Sequence, residues 1–263
     1  MIPSTDRFGT ALGDVARCAD CGHMQLGRLP DAGQLTEAYG DAASDDYLEE
    51  EGGQRVTARW TLDRIERHAA PPGAFLDLGC WVGFMLDEAR DHGWRAVGVE
   101  PSTWASGLAR ERFGLDVRTA DLAQLDLPQA SFEVVHMGDV IEHLPDPGRA
   151  LDQILGLLAP DGVLALALPD AGSRVARMLG RHWWSVIPTH VHFFTRHSMR
   201  KLLTRHGYEI VSVFTAPKTF TVRYYLSRLG GYCPAVASAL GTVADRLGRG
   251  YSLWTPDFET GCS

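Results

Sequence analysis

Short apolar runs alternate with amphipathic segments through the middle of the chain. The segments at about 83–92, 103–112 and 147–158 have the spacing of helices. Apolar strands that alternate with helices form a parallel sheet covered on both faces, so the pattern predicts an α/β protein. The predicted strands are 74–78, 95–99, 115–118, 132–137 and 163–168.

Both ends of the chain depart from this alternation. Residues 1–52 are irregular and predict a small appendage, whereas 53–263 form the main domain. Within that domain we expect a loop-rich insertion at about 171–205 and a C-terminal helical extension. The later elements are a helix at 199–206, a strand at 208–214, helices near 219–229 and 235–247, and an edge strand near 251–254. The fold prediction is thus a doubly wound, mostly parallel sheet of seven strands.

Composition indicates an ordinary globular protein. The 263 residues are 45% hydrophobic and 22% charged, which excludes wholesale disorder. No apolar run approaches the roughly 18 residues of a membrane-spanning helix. The polar N-terminus lacks a secretory signal pattern, so we expect a cytoplasmic protein.

Charge is divided unevenly along the chain. Residues 1–170 hold 29 acidic and 13 basic side chains, whereas 171–231 hold 10 basic side chains and Glu209 alone. The net charge of −8 argues against a nucleic-acid partner. The basic segment favours an anionic partner met by that region, and a merely solvated positive face remains the alternative.

The end of the first predicted strand carries the most informative motif. Asp77 closes the strand, and Gly79 and Gly83 lie in the turn that opens the next helix. Glycine lets the backbone approach a ligand closely. A carboxylate where a pyrophosphate would need amides disfavours a dinucleotide and suits a ligand with an ammonium group.

Two further marks follow at later strand ends. Glu100 closes the second strand and can accept the hydroxyls of a ribose. Asp121 and Leu122 can bind an adenine amine and its face. Ribose, adenine and a cationic amino-acid tail together describe S-adenosylmethionine, although turn-shaping glycines and acids remain the plainer alternative.

These motifs give the chain its family resemblance, which spans about 15–215. It resembles the class I, Rossmann-like S-adenosylmethionine-dependent methyltransferases, and most of all the branch of ubiquinone-biosynthesis and sugar-modifying enzymes. Trp81 stands where the motif often has Gly, so we expect an altered pocket wall with cofactor binding retained. The resemblance is carried by Asp77 to Cys80 with Gly83, Glu100-Pro101-Ser102, Asp121-Leu122, Met137 to Asp146, and the later segment from 188 to Thr195.

The resemblance also implies roles for the cofactor residues. Asp77, Gly79, Cys80 and Gly83 would line the methionine portion of the cofactor. Glu100, followed by Pro101, would bind the ribose, and Asp121 with Leu122 the adenine. Met137, expected just beyond the fourth strand, would lie near the sulfonium.

Histidines are the candidate catalytic bases. A base must remove a proton from a hydroxyl or an acidic C–H, and imidazole suits neutral pH. His190 falls where related sugar C-methyltransferases have the His of a Glu-His pair, but Thr189 replaces the Glu. His143 is the second candidate, and a structural role beside Glu142 is its alternative.

Two groups of residues could bind a metal ion, and we expect that neither does. His190 and His192 with Glu142 or Asp139 lack a spacing that defines a third ligand. Cys18-x-x-Cys21 could be half of a zinc site, with His23 adding a ligand, but no second cysteine pair lies nearby.

The acceptor is expected to meet the basic segment. Guanidinium groups bind phosphates, and tryptophan faces stack on sugars, so an anionic or nucleotide-linked sugar or another small molecule fits. The residues concerned are Arg174, Arg177, Arg181, Trp183, Trp184, Arg196, Arg200, Lys201 and Arg205.

The function predicted from sequence is methyl transfer to the oxygen or carbon of such an acceptor. A nicotinamide-dependent oxidoreductase and a non-catalytic adenosyl-binding module are the alternatives. We expect the acidic appendage, which includes Tyr39 and Tyr47, to lie over the cofactor mouth as a lid. The helix at 219–229 could rest on a membrane surface or close a homodimer, and the chain could equally be a monomer.

Overall fold

The computed structural model describes residues 14–29, 48–122, 125–187, 189–257 and 261–262. Tyr39 and Tyr47 of the predicted lid lie outside the described residues. In chain order the strands are β1 (Val15–Arg17), β2 (Met24–Leu26), β3 (Ala74–Leu78), β4 (Arg95–Glu100), β5 (Asp116–Thr119), β6 (Phe132–Gly138), β7 (Leu158–Pro169), β8 (His192–Phe193), β9 (Phe220–Thr221), β10 (Leu253–Trp254) and β11 (Gly261–Cys262).

Helices separate most of these strands. Short 3₁₀ turns at Ile141–His143 and Gly180–His182 add to them. The α-helices are α1 (Glu51–Ile65), α2 (Phe84–Asp91), α3 (Thr103–Phe113), α4 (Pro147–Leu157), α5 (Arg174–Leu179), α6 (Arg196–Arg205), α7 (Val222–Gly230) and α8 (Pro234–Arg246).

The central sheet has the order β11-β7-β6-β3-β4-β5. β3 to β7 are parallel, and β11 joins the edge of β7 in the antiparallel direction. The chain runs outward from β3 to β5 and then crosses back to β6 on the other side of β3. The strand order therefore reverses between β3 and β6, which is where open α/β sheets bind ligands.

Two apolar clusters cover the two faces of this sheet. Successive strand residues point to opposite faces, so β3 contributes to both clusters. Truncating a buried leucine of either cluster to alanine would lower the free energy of unfolding by about 2–5 kcal/mol. One cluster includes Leu76, Leu78, Met137, Leu151 and Ile154, and the other includes Leu62, Ile65, Phe75, Leu86 and Val134.

Local signals explain where α4 begins and how β7 starts. Asp146 accepts a hydrogen bond from the Arg149 amide at 2.9 Å, and Pro147 is in the first turn. β7 begins at Leu158, earlier than the predicted 163, and includes the residues between them. Asp161 has φ +62° there, and the β6–β7 register shifts between Phe132 and Val134.

The parallel α/β architecture is confirmed, but a seventh strand is not. The sheet has six strands among the described residues. Residues 208–214 form no ladder there and leave Val211 63% exposed, because the edge of β7 pairs with β11 instead. β10 confirms a short strand near 251–254, but it pairs with β9 outside the central sheet.

The appendage is joined to the insertion through a small antiparallel sheet. β2 pairs with β1 on one side and with β8 on the other. The Leu26 amide also donates to the Val191 carbonyl at 3.0 Å. Among the described helices, none combines the length and apolar character needed to cross a lipid bilayer.

Candidate functional site

The turn after β3 is tightly packed against its neighbours. The amides of Gly79 and Cys80 both donate to the Val99 carbonyl, at 2.8 and 3.2 Å. Gly79 has φ +72°, and a Cβ there would lie 2.4 Å from Val140 Cγ2. The position therefore requires glycine, and the turn touches the loop that follows β6.

Asp77 lies at the reversal of strand order and is only 2% exposed. Its Oδ1 is 2.7 Å from Nδ1 of His136, the residue opposite it on β6. The sequence analysis did not assign a role to His136. Only the β3–β6 register could have identified it, and the linear pattern does not give that register.

Glu100 also points inward, at the end of β4. Its two oxygens accept hydrogen bonds from the Trp81 amide at 2.9 Å and the Ser102 amide at 2.8 Å. Burial raises the pKa of this carboxyl, and the charge of nearby Asp77 adds to the shift. Two carboxyl groups at one buried edge suit a cationic ligand.

The remaining turn residues shape the start of α2. Gly83 has φ +89°, and a Cβ there would lie 2.5 Å from Leu115 Cδ1, so α2 approaches its neighbours closely. Trp81 also takes a left-handed conformation, φ +49°, which explains why glycine suits this position. Burial raises the pKa of the Cys80 thiol well above its usual value.

The other residues predicted to bind the cofactor differ in their burial. Pro101 and Asp121 are exposed, and Leu122 packs against the core cluster that contains Met137. Met137 was expected beyond the fourth strand, but it lies within β6 with its side chain fully buried. Met137 packs in the core cluster, and its place near the sulfonium stays a prediction.

A second polar group follows β6 directly. Glu142 is 2% exposed, and neither of its carboxyl oxygens has a hydrogen-bond partner. His190 Nε2 lies 3.9 Å from Glu142 Oε1. The rings of His143 and His190 meet edge to face with centroids 4.5 Å apart, and His143 Nδ1 is 2.8 Å from the Thr189 carbonyl oxygen. We call Glu142, His143 and His190 the histidine cluster.

Burial governs the protonation of this cluster. It raises the pKa of Glu142 to about 8, with help from the charge of Asp139. It lowers the pKa of His143 to about 4. It also lowers the pKa of His190 well below its usual value, and the neighbouring His143 adds to that shift. All three groups are therefore uncharged near neutral pH.

The cluster corrects two details of the histidine prediction. Glu142 supplies the carboxyl group next to His190 that Thr189 does not. His192 is not part of the cluster: its Nδ1 lies 3.1 Å from His23 Nε2 instead.

The histidine cluster is also the one set of described residues whose side chains could share a metal ion. Its three candidate ligand atoms all lie within 4.8 Å of one another. Two imidazoles and a carboxylate form a ligand set that divalent transition metals accept. Asp139, considered as a ligand from the sequence, instead pairs with Lys218.

The CxxC motif forms a small turn before β2. Amides of Cys21 and Asp20 donate to the Cys18 sulfur and lower the pKa of its thiol. Both cysteines are free of disulfides. His23, considered as a further ligand, packs on His192 and Phe194.

The basic segment divides into paired and surface residues. Arg196 pairs with Asp170 at 3.1 Å, and Lys201 pairs with Asp20 at 2.7 Å. Trp183 is 2% exposed in a small core with Phe193, so its predicted stacking role is wrong. Exposed members line a shallow hollow of about 420 Å³, formed by His197, Arg200, Lys201, Thr204 and Arg205.

Comparison with known proteins supplies independent findings. A family model described as a methyltransferase domain matches residues 51–213. A probable S-adenosylmethionine-dependent methyltransferase of Mycolicibacterium smegmatis is 30% identical over 136 residues, which are 51% of this chain and 51% of that protein. The C-methyltransferase NovU of Streptomyces niveus is 26% identical over 77% of this chain and 48% of its own length.

Shorter matches and a solved structure agree with these findings. Ubiquinone biosynthesis O-methyltransferases of Rhodopseudomonas palustris and a Bradyrhizobium species match over 35% and 43% of this chain. The chain spans about half the length, or less, of these curated relatives. An Archaeoglobus fulgidus structure with a TM-score of 0.54 and 19% identity covers 65% of this chain and 77% of its own, and supports the fold.

Proposed function

The chain belongs to the methyltransferase domain family, whose cofactor is S-adenosylmethionine, and from this premise we propose that it methylates an anionic small molecule or carbohydrate. The acceptor atom in this proposal is an oxygen or a carbon. The family match contradicts a nicotinamide-dependent oxidoreductase, one of the two alternatives from the sequence.

We call the strand ends that carry Asp77, the Gly79 turn and Glu100 the cofactor edge. The observation that carries this proposal is the histidine cluster beside this edge. The cluster begins four residues after the end of β6, and Val140 in the same loop packs on the Gly79 turn. A group able to accept a proton is therefore close to the turn assigned to the cofactor. This favours an enzyme over a non-catalytic adenosyl-binding module.

The residues at the cofactor edge fit S-adenosylmethionine. When bound, this cofactor supplies an electrophilic methyl group on a sulfonium centre. Asp77 offers a carboxylate to the ammonium group, and Glu100 offers its remaining acceptor capacity to the ribose hydroxyls. The raised pKa of Glu100 shows that burial and the charge of Asp77 disfavour its carboxylate form, and a nearby cationic ligand would compensate that negative charge.

His190 acts as the base in this proposal. Its lowered pKa keeps the imidazole unprotonated near neutral pH and ready to accept a proton from the acceptor. His190 Nε2, which would carry that proton, lies 3.9 Å from Glu142 Oε1. Glu142 then releases its own proton to solvent, and the carboxylate so formed stabilises the imidazolium. His143 packs edge to face on the His190 ring and holds it in place.

The appendage supports this loop in the proposal. The Val191 amide donates to the Glu142 carbonyl at 3.0 Å, and the Val191 carbonyl accepts from Leu26 of β2. β2 thereby braces the segment that carries His190. Deleting residues 1–45 is expected to lower turnover, and unchanged turnover would remove both this bracing role and the lid role predicted from sequence.

The basic hollow on α6 and the insertion at 171–205 are the regions we assign to acceptor binding. Their exposed arginines suit a phosphate or carboxylate on the acceptor. Neutralising Arg200 and Arg205 together is expected to raise KM for an anionic acceptor and leave cofactor affinity unchanged.

The test is methyl transfer from isotopically labelled S-adenosylmethionine to a panel of nucleotide-linked sugars, sugar phosphates and phenolic acids. Wild-type protein is compared with Glu142→Gln and with the control His68→Ala, an exposed histidine outside the cluster. Transfer to an anionic member that is lost in Glu142→Gln alone supports the proposal. Transfer to neutral acceptors only, or equal activity in all three proteins, contradicts it.

A further inference from the structure

The cofactor edge contains a second histidine contact that methyl transfer alone does not explain. His136 lies beside Asp77 because the parallel register of β6 and β3 pairs these two residues. Paired residues of neighbouring strands point to the same face, so the 2.7 Å contact between Nδ1 and Oδ1 follows from the register. Both side chains are buried.

Packing restricts the orientation of the His136 ring. The ring centroid of Phe75 lies 6.2 Å away with the two planes nearly parallel. On another side, a Cβ added to Gly138 would lie 3.0 Å from His136 Cε1, so the ring occupies the space beside this glycine. A ring held in this way directs its Nδ1 at Asp77 in a defined geometry.

The other side of Asp77 has a different character. The register places Gly98 of β4 there, which has no side chain. A Cβ on Gly98 would lie 2.7 Å from Cys80 Sγ, so the turn after β3 folds into that space. Along this row of strands, the side chain adjacent to Asp77 therefore comes from His136.

We propose that His136 is a positioning residue for the cofactor. Its Nδ1–H donates to Asp77 Oδ1 and holds the carboxylate with Oδ2 directed at the ammonium group of S-adenosylmethionine. The inference rests on the proposed function, in which Asp77 binds that ammonium group. A carboxylate that is already oriented loses less conformational freedom when the ligand binds.

Histidine suits this task better than other hydrogen-bond donors. A lysine or arginine would place a permanent positive charge beside Asp77 and compete with the ligand. An apolar residue would leave Asp77 Oδ1 buried without a partner and the carboxylate free to turn. Imidazole donates one hydrogen bond and need not carry a charge.

The test compares two ligands on the full chain by calorimetry. S-adenosylhomocysteine carries the amino-acid tail, and 5′-methylthioadenosine has the same adenosyl thioether without it. His136→Phe removes the donor, His136→Asn keeps an N–H near the Nδ1 position, and His68→Phe is the control. Asp77→Asn, alone and combined with His136→Phe, completes a double-mutant cycle.

We expect His136→Phe to weaken S-adenosylhomocysteine by about tenfold and to leave 5′-methylthioadenosine unchanged. His136→Asn should stay within about threefold of wild type, and His136→Phe should add little in the Asp77→Asn background. Equal weakening of both ligands, or of neither, overturns the positioning role. Loss of affinity in Asp77→Asn but not in His136→Phe overturns this inference and leaves the proposed function standing.

A measurement on the wild-type protein keeps the inference testable where a variant does not fold. The Nδ1–H proton of His136 is followed by nuclear magnetic resonance during both titrations. A shift with S-adenosylhomocysteine that is absent with 5′-methylthioadenosine agrees with the inference, and the same response to both ligands contradicts it. No binding of S-adenosylhomocysteine at all would overturn the proposed function as well.

Discussion

The cofactor edge and the histidine cluster lie next to each other but are built differently. At the cofactor edge, Asp77 and Glu100 are held by hydrogen bonds from His136 and from backbone amides. In the histidine cluster, the carboxyl oxygens of Glu142 have no hydrogen-bond partner, and Oε1 lies 3.9 Å from His190 Nε2. In the proposed function, the first arrangement binds a cation and the second exchanges a proton. Neighbouring sites can thus divide binding and chemistry between them.

Removing the base should separate the two sites most clearly. His190→Ala is expected to lower kcat about 10²- to 10⁴-fold, because proton removal by a positioned side chain contributes that much. Affinity for S-adenosylhomocysteine should not change. Steady-state kinetics and calorimetry on the same preparation check both, with His68→Ala as control. A parallel loss of cofactor affinity would mean that the two sites are not independent.

Removing a carboxylate from the cofactor edge should show the reverse behaviour. Glu100→Ala is expected to weaken S-adenosylhomocysteine about 10- to 100-fold, since the ribose loses an acceptor and the Trp81 and Ser102 amides lose theirs. Equilibrium binding measures this, and Glu111→Ala on the exposed face of α3 is the matched control. Unchanged affinity would remove the ribose assignment.

The pH dependence of the unfolding free energy tests whether Glu142 is protonated in the histidine cluster. The folded-state pKa of Glu142 is raised to about 8, so its contribution to stability is complete below its ordinary pKa of 4.5. It is lost as the pH rises through 8, with a slope of up to about 1.4 kcal/mol per pH unit. Glu142→Gln should remove this slope from urea unfolding curves.

His143 gives stability the opposite dependence on pH. The pKa of His143 is lowered to about 4, so its stabilisation is present above 6.5 and is lost as the pH falls through 4. This term is common to wild type and Glu142→Gln and cancels in their difference. Parallel stability curves for the two proteins between about pH 5 and 8 would refute the buried, protonated Glu142.

The smallest effect is expected at Trp81. Trp81→Gly relieves a left-handed conformation worth about 1 kcal/mol but loses the contact with Trp104, whose ring centroid is 5.7 Å away. We therefore expect unfolding free energies within about 1 kcal/mol of wild type and cofactor affinity within about threefold. A larger loss of affinity would assign Trp81 to the pocket wall itself.

The same two regions differ in what the sequence could predict. The cofactor edge could be predicted because Asp77, Gly79 and Glu100 each lie at or just after the end of a strand, and parallel strands end at one edge of the sheet. Glu142 was considered beside His190 only as one of two possible metal ligands, because it lies 48 residues away and only the folded loop brings them together. His136 was missed for the same reason, since register is not visible in a single sequence.

The structure does not show the strand predicted at 208–214 or the surface position predicted for Trp183. The apolar alternation at 208–214 has the local features of a strand, yet the edge of β7 pairs with β11. Trp183 was assigned to the surface from its basic neighbours, but the insertion buries it beside Phe193. In both cases local propensity was read correctly and tertiary packing decided the outcome.

We expect the cofactor edge to bind the adenosyl cofactor of a methyltransferase. Calorimetric titration of the full chain with S-adenosylhomocysteine and, separately, with NADH tests it most directly. We predict saturable binding of S-adenosylhomocysteine alone, weakened in Glu100→Ala. Binding of NADH, or no binding of S-adenosylhomocysteine, would contradict the account.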